Sequence, residues 1–285
     1  MKGWLIINSF MDSDKFVNLY EMICRAFKKH QISVIVKTAS NISLEVGETI
    51  EDKPDFAIFW DKDIYLSQRL ERQGIRLFNS AKAVELCDNK ILMYQELAKS
   101  NIRIPRTFIA PKTFEGLGYT NREFLYAAKA RFGFPIVVKE AYGSFGEQVY
   151  LANDIKSLNE IVDRIGYKDF LMQEFIKESE GRDIRINVVG NQAIVSMLRE
   201  NKNDFRSNIS NGGTGSLFNP EQDYINLAIK ATKALGLDFA GVDVLFGKDG
   251  PIICEVNSNP QFASTLKATG VNLADFIVDY IVKQL

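Results

Sequence analysis

The chain has 285 residues, 46% of them hydrophobic and 25% charged, with a net charge of −1, which describes a globular protein long enough for two or three packed units. Balanced charge removes any broad attraction to nucleic acid or to a membrane surface, and no apolar run nears the roughly 20 residues of a membrane span. The only histidine, His30, sits in Lys28-Lys29-His30-Gln31 at the apparent end of a helix, which argues against the usual Ser-His-Asp triad and excludes any multi-histidine zinc site.

Cys24, Cys87 and Cys254 are odd in number, widely spaced and set in apolar periodic segments. They read as buried thiols in a reducing compartment, the cytoplasm. The start, Met1-Lys2-Gly3-Trp4-Leu5-Ile6-Ile7-Asn8, is too short in its apolar part for a signal peptide and reads as a first strand. Further β-like runs fall at 33–37, 56–60 and 75–78. Between the first two runs, Phe16, Leu19, Tyr20, Ile23 and Phe27 mark one helix face. This rhythm predicts a small parallel sheet. No Gly-x-Gly-x-x-Gly follows the first strand, so nothing supports a dinucleotide site there. Cys87, Ile91, Tyr94 and Ala98 share a face of a later helix with Asp88 at its N-cap, and Asn101-Ile102-Arg103-Ile104-Pro105 closes that pattern.

From Arg106 onward strand pairs alternate with helices. Strands at 136–139 and 148–151 flank a glycine loop, a helix covers 155–165, and 170–173 is another strand. Strands at 183–189 and 192–197 follow. The segment 208–219, rich in Gly, Ser, Asn and Thr, reads as a long functional loop. A helix near 224–235 precedes a last strand pair, and the final helix starts at Asn272 with Asp275 at capping-box spacing. The expected units are 1–105, 106–176 and 177–285.

That last strand pair carries the strongest chemical signal. Gly241-Val242-Asp243-Val244-Leu245-Phe246 and Ile252-Ile253-Cys254-Glu255-Val256-Asn257 flank a Gly-Lys-Asp-Gly link and read as a β-hairpin. A three-residue loop centred on Asp249 places Asp243 opposite Glu255, with Asn257 on the same face. Like charges so placed repel. A divalent cation removes the conflict, and oxygen donors on one rigid face suit Mg²⁺ holding phosphates. On that reading, removing one carboxylate raises the metal-free melting temperature. A solvent-facing acidic strand pair in another register is the alternative.

Two further clusters favour anions. Phe134-Pro135-Ile136-Val137-Val138-Lys139 ends a strand in a cation, before Tyr142-Gly143-Ser144-Phe145-Gly146, whose backbone can approach a phosphate closely. A plain glycine hairpin explains the same pattern, and the Walker arrangement is absent. Arg199, Arg206, Ser207, Asn208 and Asn211-Gly212-Gly213-Thr214-Gly215 form the second cluster, since guanidinium groups bind carboxylate or phosphate bidentately. A solvated loop is the alternative there.

These segments, with Met172-Gln173-Glu174-Phe175-Ile176, Gly181-Arg182-Asp183-Ile184-Arg185, Asp204-Phe205-Arg206-Ser207-Asn208, Ala240-Gly241-Val242-Asp243 and Glu255-Val256-Asn257, follow the order seen in ATP-grasp enzymes. The chain most resembles their RimK-like branch of glutamate ligases and lysine-biosynthesis-type ligases, over about residues 79–270. The resemblance implies a mixed α/β (α+β) architecture, an ATP-grasp fold preceded by a small parallel-sheet α/β domain. It implies an ATP-dependent carboxylate–amine ligase forming an amide through an acyl phosphate, with ATP and Mg²⁺ as cofactors and Mn²⁺ as a substitute.

By the same resemblance, Lys90 and Lys139 bind phosphates with Gly143, Ser144 and Gly146 of the glycine loop. Gln173, Glu174, Phe175 and Ile176 form the adenine hinge, and Asp183 holds the ribose. Arg206, flanked by Ser207 and Asn208, steadies the γ-phosphate and the acyl phosphate, so that Arg206 and Lys139 are the catalytic cations. Asp243, Glu255 and Asn257 are the metal ligands. The partners implied are a small-molecule, peptide or carrier-protein carboxylate and an amino acid or other small amine. Neither nucleic acid nor membrane is among them, and a homo-oligomer stays open. A nucleotide-binding module with weak turnover, or a kinase acting on a hydroxyl, would use the same ATP site.

Two segments depart from the glutamate-ligase pattern. Ser258-Asn259-Pro260-Gln261-Phe262-Ala263 stands where that group often has small-Ser-Pro-Gly and an acidic residue. Only Arg199 is basic in Leu198-Arg199-Glu200, where paired arginines are usual. With Phe262 as an apolar contact, these changes predict a neutral or apolar amine rather than glutamate.

Overall fold

The structure, a computed structural model, describes residues 1–11, 14–42 and 45–285, without the side chains of residues 14 and 15. Its N-terminal sheet is wholly parallel. Strands β1 (Lys2–Ile7), β2 (Ser33–Thr38), β3 (Phe56–Trp60) and β4 (Arg76–Phe78) lie in the order β2-β1-β3-β4. Every residue of β3 is buried, as expected where both faces of a parallel strand are covered. Helix α1 (Asp14–Lys29) sets Leu19, Tyr20, Ile23 and Phe27 on one face, as the spacing predicts. Helix α2 (Ile64–Arg72) is capped by Asp63, whose side chain accepts the Leu66 N–H at 3.0 Å.

The single helix expected around residues 87–98 is two helices, α3 (Ala81–Asp88) and α4 (Lys90–Lys99). Asn89, not Asp88, caps the second, accepting from the Ile91 and Leu92 N–H groups at 2.9 and 3.2 Å. Asp88 instead meets Lys62 Nζ at 2.5 Å. Asn89 directly precedes the first residue of α4, so its side-chain oxygen, not that of Asp88, faces the unpaired N–H groups of the first turn. The break makes Lys90 the first residue of α4.

The second sheet is antiparallel. Strands β5 (Thr107–Ile109), β6 (Ile136–Glu140), β7 (Val149–Ala152) and β8 (Phe170–Glu174) run in the order β5-β8-β6-β7. Helices α5 (Glu123–Phe132) and α6 (Ile155–Ile165) pack on it through Leu125, Ala128, Leu158 and Val162. The third sheet joins β9 (Arg182–Val189), β10 (Gln192–Glu200), β11 (Thr214–Leu217), β12 (Phe239–Gly247) and β13 (Gly250–Asn257) in the order β11-β10-β9-β12-β13, all antiparallel. Helix α7 (Gln222–Ala234) covers it, and α8 (Ala263–Thr269) and α9 (Leu273–Gln284) end the chain.

The segment 208–219 is therefore more than a loop: a short 3₁₀ turn at Ile209–Asn211 leads into β11, which pairs with β10. Asn272 caps α9 through the Ala274 N–H at 3.3 Å, but Asp275 bonds the Asn272 side chain rather than completing a capping box.

The N-terminal sheet and the chain's last third share one core. Phe27, Phe56 and Phe78 pack with Phe239, Phe262, Ile277 and Ile281. Phe262 is fully buried, its ring edge-on to Trp60 at 6.0 Å. It is a core residue, so the apolar substrate contact expected of it does not exist. Asn79, also fully buried, fastens this seam. Its oxygen accepts from Asp238 N (2.6 Å) and Phe239 N (3.2 Å), and its amide donates to Phe239 O (2.9 Å) and Ser258 O (2.8 Å).

Candidate active site

The second and third sheets face each other across a cleft of about 900 Å³. Every residue assigned above to the nucleotide, its phosphates or the metal lines it except Asn257, which borders an adjoining cavity of about 1250 Å³ together with Glu255, Arg185 and Arg199.

The hairpin β12–β13 places Asp243 opposite Glu255, as the sequence predicts, by a different route. Gly247 pairs with Gly250, so the loop has two residues, and the register shifts by one between Asp243 and Val244. The extra residue is Cys254, a β-bulge, and bulges re-aim side chains beside functional sites.

The expected repulsion between the two carboxylates is answered by cations of the protein itself. Asp243 accepts at Oδ1 from Arg185 Nε and at Oδ2, at 2.9 Å, from Arg185 Nη2, and Arg199 Nη2 lies 2.9 Å from the same Oδ2. Burial works against charging Asp243, but the two guanidinium groups outweigh it and hold the carboxyl below the ordinary range. Arg199 also forms a bidentate pair with Asp183 at 2.7 and 2.5 Å. Glu255 lies 3.4 Å from Lys90 Nζ. A higher metal-free melting temperature on removing Asp243's charge is therefore not expected.

Lys139 is the penultimate residue of β6, with its ammonium buried. Its neighbours are Tyr94 Oη at 3.0 Å and Cys254 Sγ at 3.7 Å. Burial pushes the Cys254 thiol up to about 11 and the Tyr94 phenol to about 12, so both are neutral at pH 7. Burial also opposes the charge on Lys139, but the negative charge that Cys254, Tyr94 and Glu255 carry when ionised turns the balance and its pKa rises. No carboxylate forms an ion pair with it among the described residues. Such a cation is suited to an incoming anion. Lys90, also buried, reaches the Gly143 carbonyl at 3.0 Å.

The glycine loop bends back over this pair. Gly146 has φ +76°, a left-handed conformation that favours glycine, and a Cβ there would stand 2.9 Å from the Asn208 side chain, which would have to shift. Arg206 donates to the Gly146 carbonyl at 2.5 Å and binds Asp204 through Nε and Nη2. Asn211 Nδ2 reaches the Phe145 carbonyl at 3.3 Å. The segment after β10 thus touches the glycine loop across the cleft. At the far end, Phe175 and Ile176 follow β8 as lining residues, while the Glu174 side chain is held by Arg106 at 2.6 and 2.8 Å. Gln173 is buried and donates to Thr107 Oγ1 at 2.8 Å.

The donor set suits Mg²⁺ chemically. Glu255 and Asn257 contribute hard oxygens, the Asn257 amide being oriented by its Nδ2 bond to Gly241 O at 3.2 Å. Asp243 would join by exchanging a guanidinium contact. Among the described residues no three His, Cys, Asp or Glu cluster as a metal site; an ion held here would take few protein oxygens and complete its shell with phosphates and water. Sequence reasoning had named Arg199 but missed Arg185, Tyr94 and Cys254 as site neighbours. Arg185 was legible in the Gly181–Arg185 motif; the other two come into place only through the fold.

The description "RimK-like ATP-grasp domain" matches residues 87–281. The chain is 33% identical over 264 residues to a beta-citrylglutamate synthase B of Danio rerio, covering 88% of this chain and 64% of that one. It is 35% identical over 221 residues to a probable alpha-L-glutamate ligase of Vibrio atlanticus, covering 76% and 70%. The chain thus spans about two thirds of the length of these relatives. Its fold matches the crystal structure of a RimK domain ATP-grasp protein from Sphaerobacter thermophilus with a TM-score of 0.76 at 20% identity, over 98% of this chain and 99% of that one. The chain belongs to the RimK-like ATP-grasp family and is an ATP-dependent carboxylate–amine ligase.

Proposed function

We propose that this ligase joins a small-molecule carboxylate to the amino group of an acidic amino acid, glutamate first among the candidates, using ATP with Mg²⁺. The observation that carries the ATP site is Lys139, a buried ammonium with only neutral bonded partners, beside Lys90 and Arg206 in one cleft. Glutamate is favoured by the names of the relatives, an alpha-L-glutamate ligase and a citrylglutamate synthase. The neutral amine suggested by Phe262 loses its support because that ring is in the core.

A carboxylate resists an amine because oxide is a poor leaving group, and transfer of a phosphoryl group to it makes an acyl phosphate that the amine can displace. The protein's part is positioning and charge neutralisation. Lys90 and Lys139 hold phosphate oxygens, the glycine-loop backbone closes over them, and Arg206 steadies the transferred group. Asp243, Glu255 and Asn257 would hold Mg²⁺, which supplies neutralisation of phosphate charge when bound. Phe175 and Ile176 wall the adenine, and Asp183 faces the cleft while orienting Arg199. We divide the chain at 1–105, 106–176 and 177–285, one sheet in each, and place it in a reducing cytoplasm because its cysteines are free. No helix among the described residues is long and apolar enough to cross a membrane.

Incubation with ATP, Mg²⁺ and hydroxylamine tests the reading. Citrate, N-acetylaspartate and other small carboxylates are offered in turn, and hydroxamate is read by mass spectrometry. A hydroxamate from one of them, replaced by an amide when glutamate is added, is expected. Phosphorylation of a hydroxyl with no hydroxamate would make the protein a kinase.

A further inference from the structure

The cavity adjoining the ATP cleft holds polar groups that the protein leaves unsatisfied. Asp61 follows the C-terminal end of β3 and Asn8 that of the neighbouring β1, the end of a parallel sheet at which ligands bind. Asp61 is 94% buried, being 6% exposed. Its Oδ1 accepts from Asn8 Nδ2 at 3.0 Å and from the Lys62 N–H at 2.7 Å, but its Oδ2 is buried with no partner. No lysine or arginine forms an ion pair with it among the described residues; Lys62 Nζ turns instead to Asp88 and Ser144.

Asn259 donates Nδ2 to the Asp61 carbonyl at 2.9 Å, which fixes its amide orientation and leaves Oδ1 buried without a donor. Gln261 accepts the Ala263 N–H through Oε1 at 3.1 Å, leaving Nε2 without an acceptor. All three residues line the same cavity, which Arg185 and Arg199 border as well. A buried carboxylate oxygen and a buried amide oxygen that lack donors demand a donor, and the carboxylate demands a positive one.

We propose that Asp61 and Asn259 bind the ammonium group of the amine substrate, an α-amino acid taken up as a zwitterion, its carboxylate turned toward Gln261 Nε2 and the guanidinium groups. This rests on the ligase reading and adds the residues that select an amino acid over the same dicarboxylate without the amino group.

Calorimetric titration, with a non-hydrolysable ATP analogue and Mg²⁺ present, tests it using L-glutamate and glutarate as probes. Wild-type protein is expected to bind L-glutamate at least ~10-fold more tightly than glutarate, a difference within reach of one charged hydrogen bond. Asp61→Asn should bind the two alike, keep its affinity for the ATP analogue, and melt no lower than wild type in the absence of substrate, because the amide relieves an unpaired buried charge. Asn259→Ala should reduce the preference in the same direction. An undiminished preference in both variants overturns the assignment, as does a marked loss of stability in Asp61→Asn. If neither L-glutamate nor any other common L-amino acid binds while the ATP analogue does, the ammonium site is wrong and the ligase reading survives. If the ATP analogue itself does not bind, the ligase reading falls first.

Discussion

Asp243 sits between Arg185 and Arg199, so its charge does two jobs, holding two guanidinium groups in the resting protein and offering an oxygen to a cation in the working one. Removing one partner of a buried ion pair costs roughly 3–5 kcal/mol when nothing replaces it. Asp243→Asn keeps an acceptor oxygen, so a destabilisation toward or below the lower end is expected, together with loss of turnover; denaturant unfolding and hydroxamate formation check the two. The pH dependence follows from the depressed carboxyl. The unfolded aspartate titrates near ~3.9, so the ion pair's contribution is complete above that value and is lost as pH falls through the lower folded value. The stability gap between wild type and Asp243→Asn should therefore be flat near neutrality and shrink below about pH 4. Lys139 differs, since its cation has no carboxylate to lose. Lys139→Ala should weaken an ATP analogue by ~10–100-fold, the worth of a charged hydrogen bond, with little loss of stability; unchanged affinity would return Lys139 to a strand end.

Among the elements, the hairpin β12–β13 shows how a register is decided. A three-residue loop centred on Asp249 opposes Asp243 and Glu255; the structure reaches the same pairing with a two-residue loop and a bulge, because one residue in either place shifts the pairing equally. The bulge matters chemically, since it puts Cys254 beside Lys139 and its carbonyl in reach of the Tyr94 hydroxyl. The end of β4 carries a second device. Asn79 joins the parallel sheet to β12 and to the segment after β13 by four hydrogen bonds within a fully buried side chain. Asn79→Ala would leave two carbonyls and two N–H groups without it, at about 1–3 kcal/mol for each that water cannot reach. A loss of at least ~2 kcal/mol in denaturant unfolding is expected, and a near-neutral result would show that the seam tolerates water.

At the scale of the whole molecule, the ATP cleft is built from two sheets. The glycine loop after β6 and the segment after β10 meet through Arg206 and Asn211, and Lys62 brings the N-terminal unit to Ser144. A nucleotide bound between them adds contacts to the folded state alone. At a hundred times its Kd, an ATP analogue should raise unfolding free energy by about 2.7 kcal/mol. Hydrogen exchange should then slow at 142–148 and 205–213 more than in α5, which lies on the outer side of the second sheet. Equal protection everywhere would argue against closure at this cleft.

Local patterns were enough for much of this protein. Strand periodicity and the helix spacing from Phe16 to Phe27 determined the parallel N-terminal sheet and the two strands of the hairpin, because each depends on side chains that alternate or recur within a short segment; the residues assigned to the cleft came instead from the resemblance carried by the order of separated motifs. The short elements β5, α8 and β11 were not legible, since a strand of three or four residues or a helix of seven is stabilised by packing rather than by its own pattern. Tertiary structure alone decided the charges. It placed Arg185, 58 residues before Asp243, against that carboxylate, left Lys139 among neutral groups, sank Phe262 into a core shared with β3, and left Asp61 with an oxygen that no residue of the chain answers. Electrostatic partners and burial are set by distances across the fold, and no local sequence rule contains those distances.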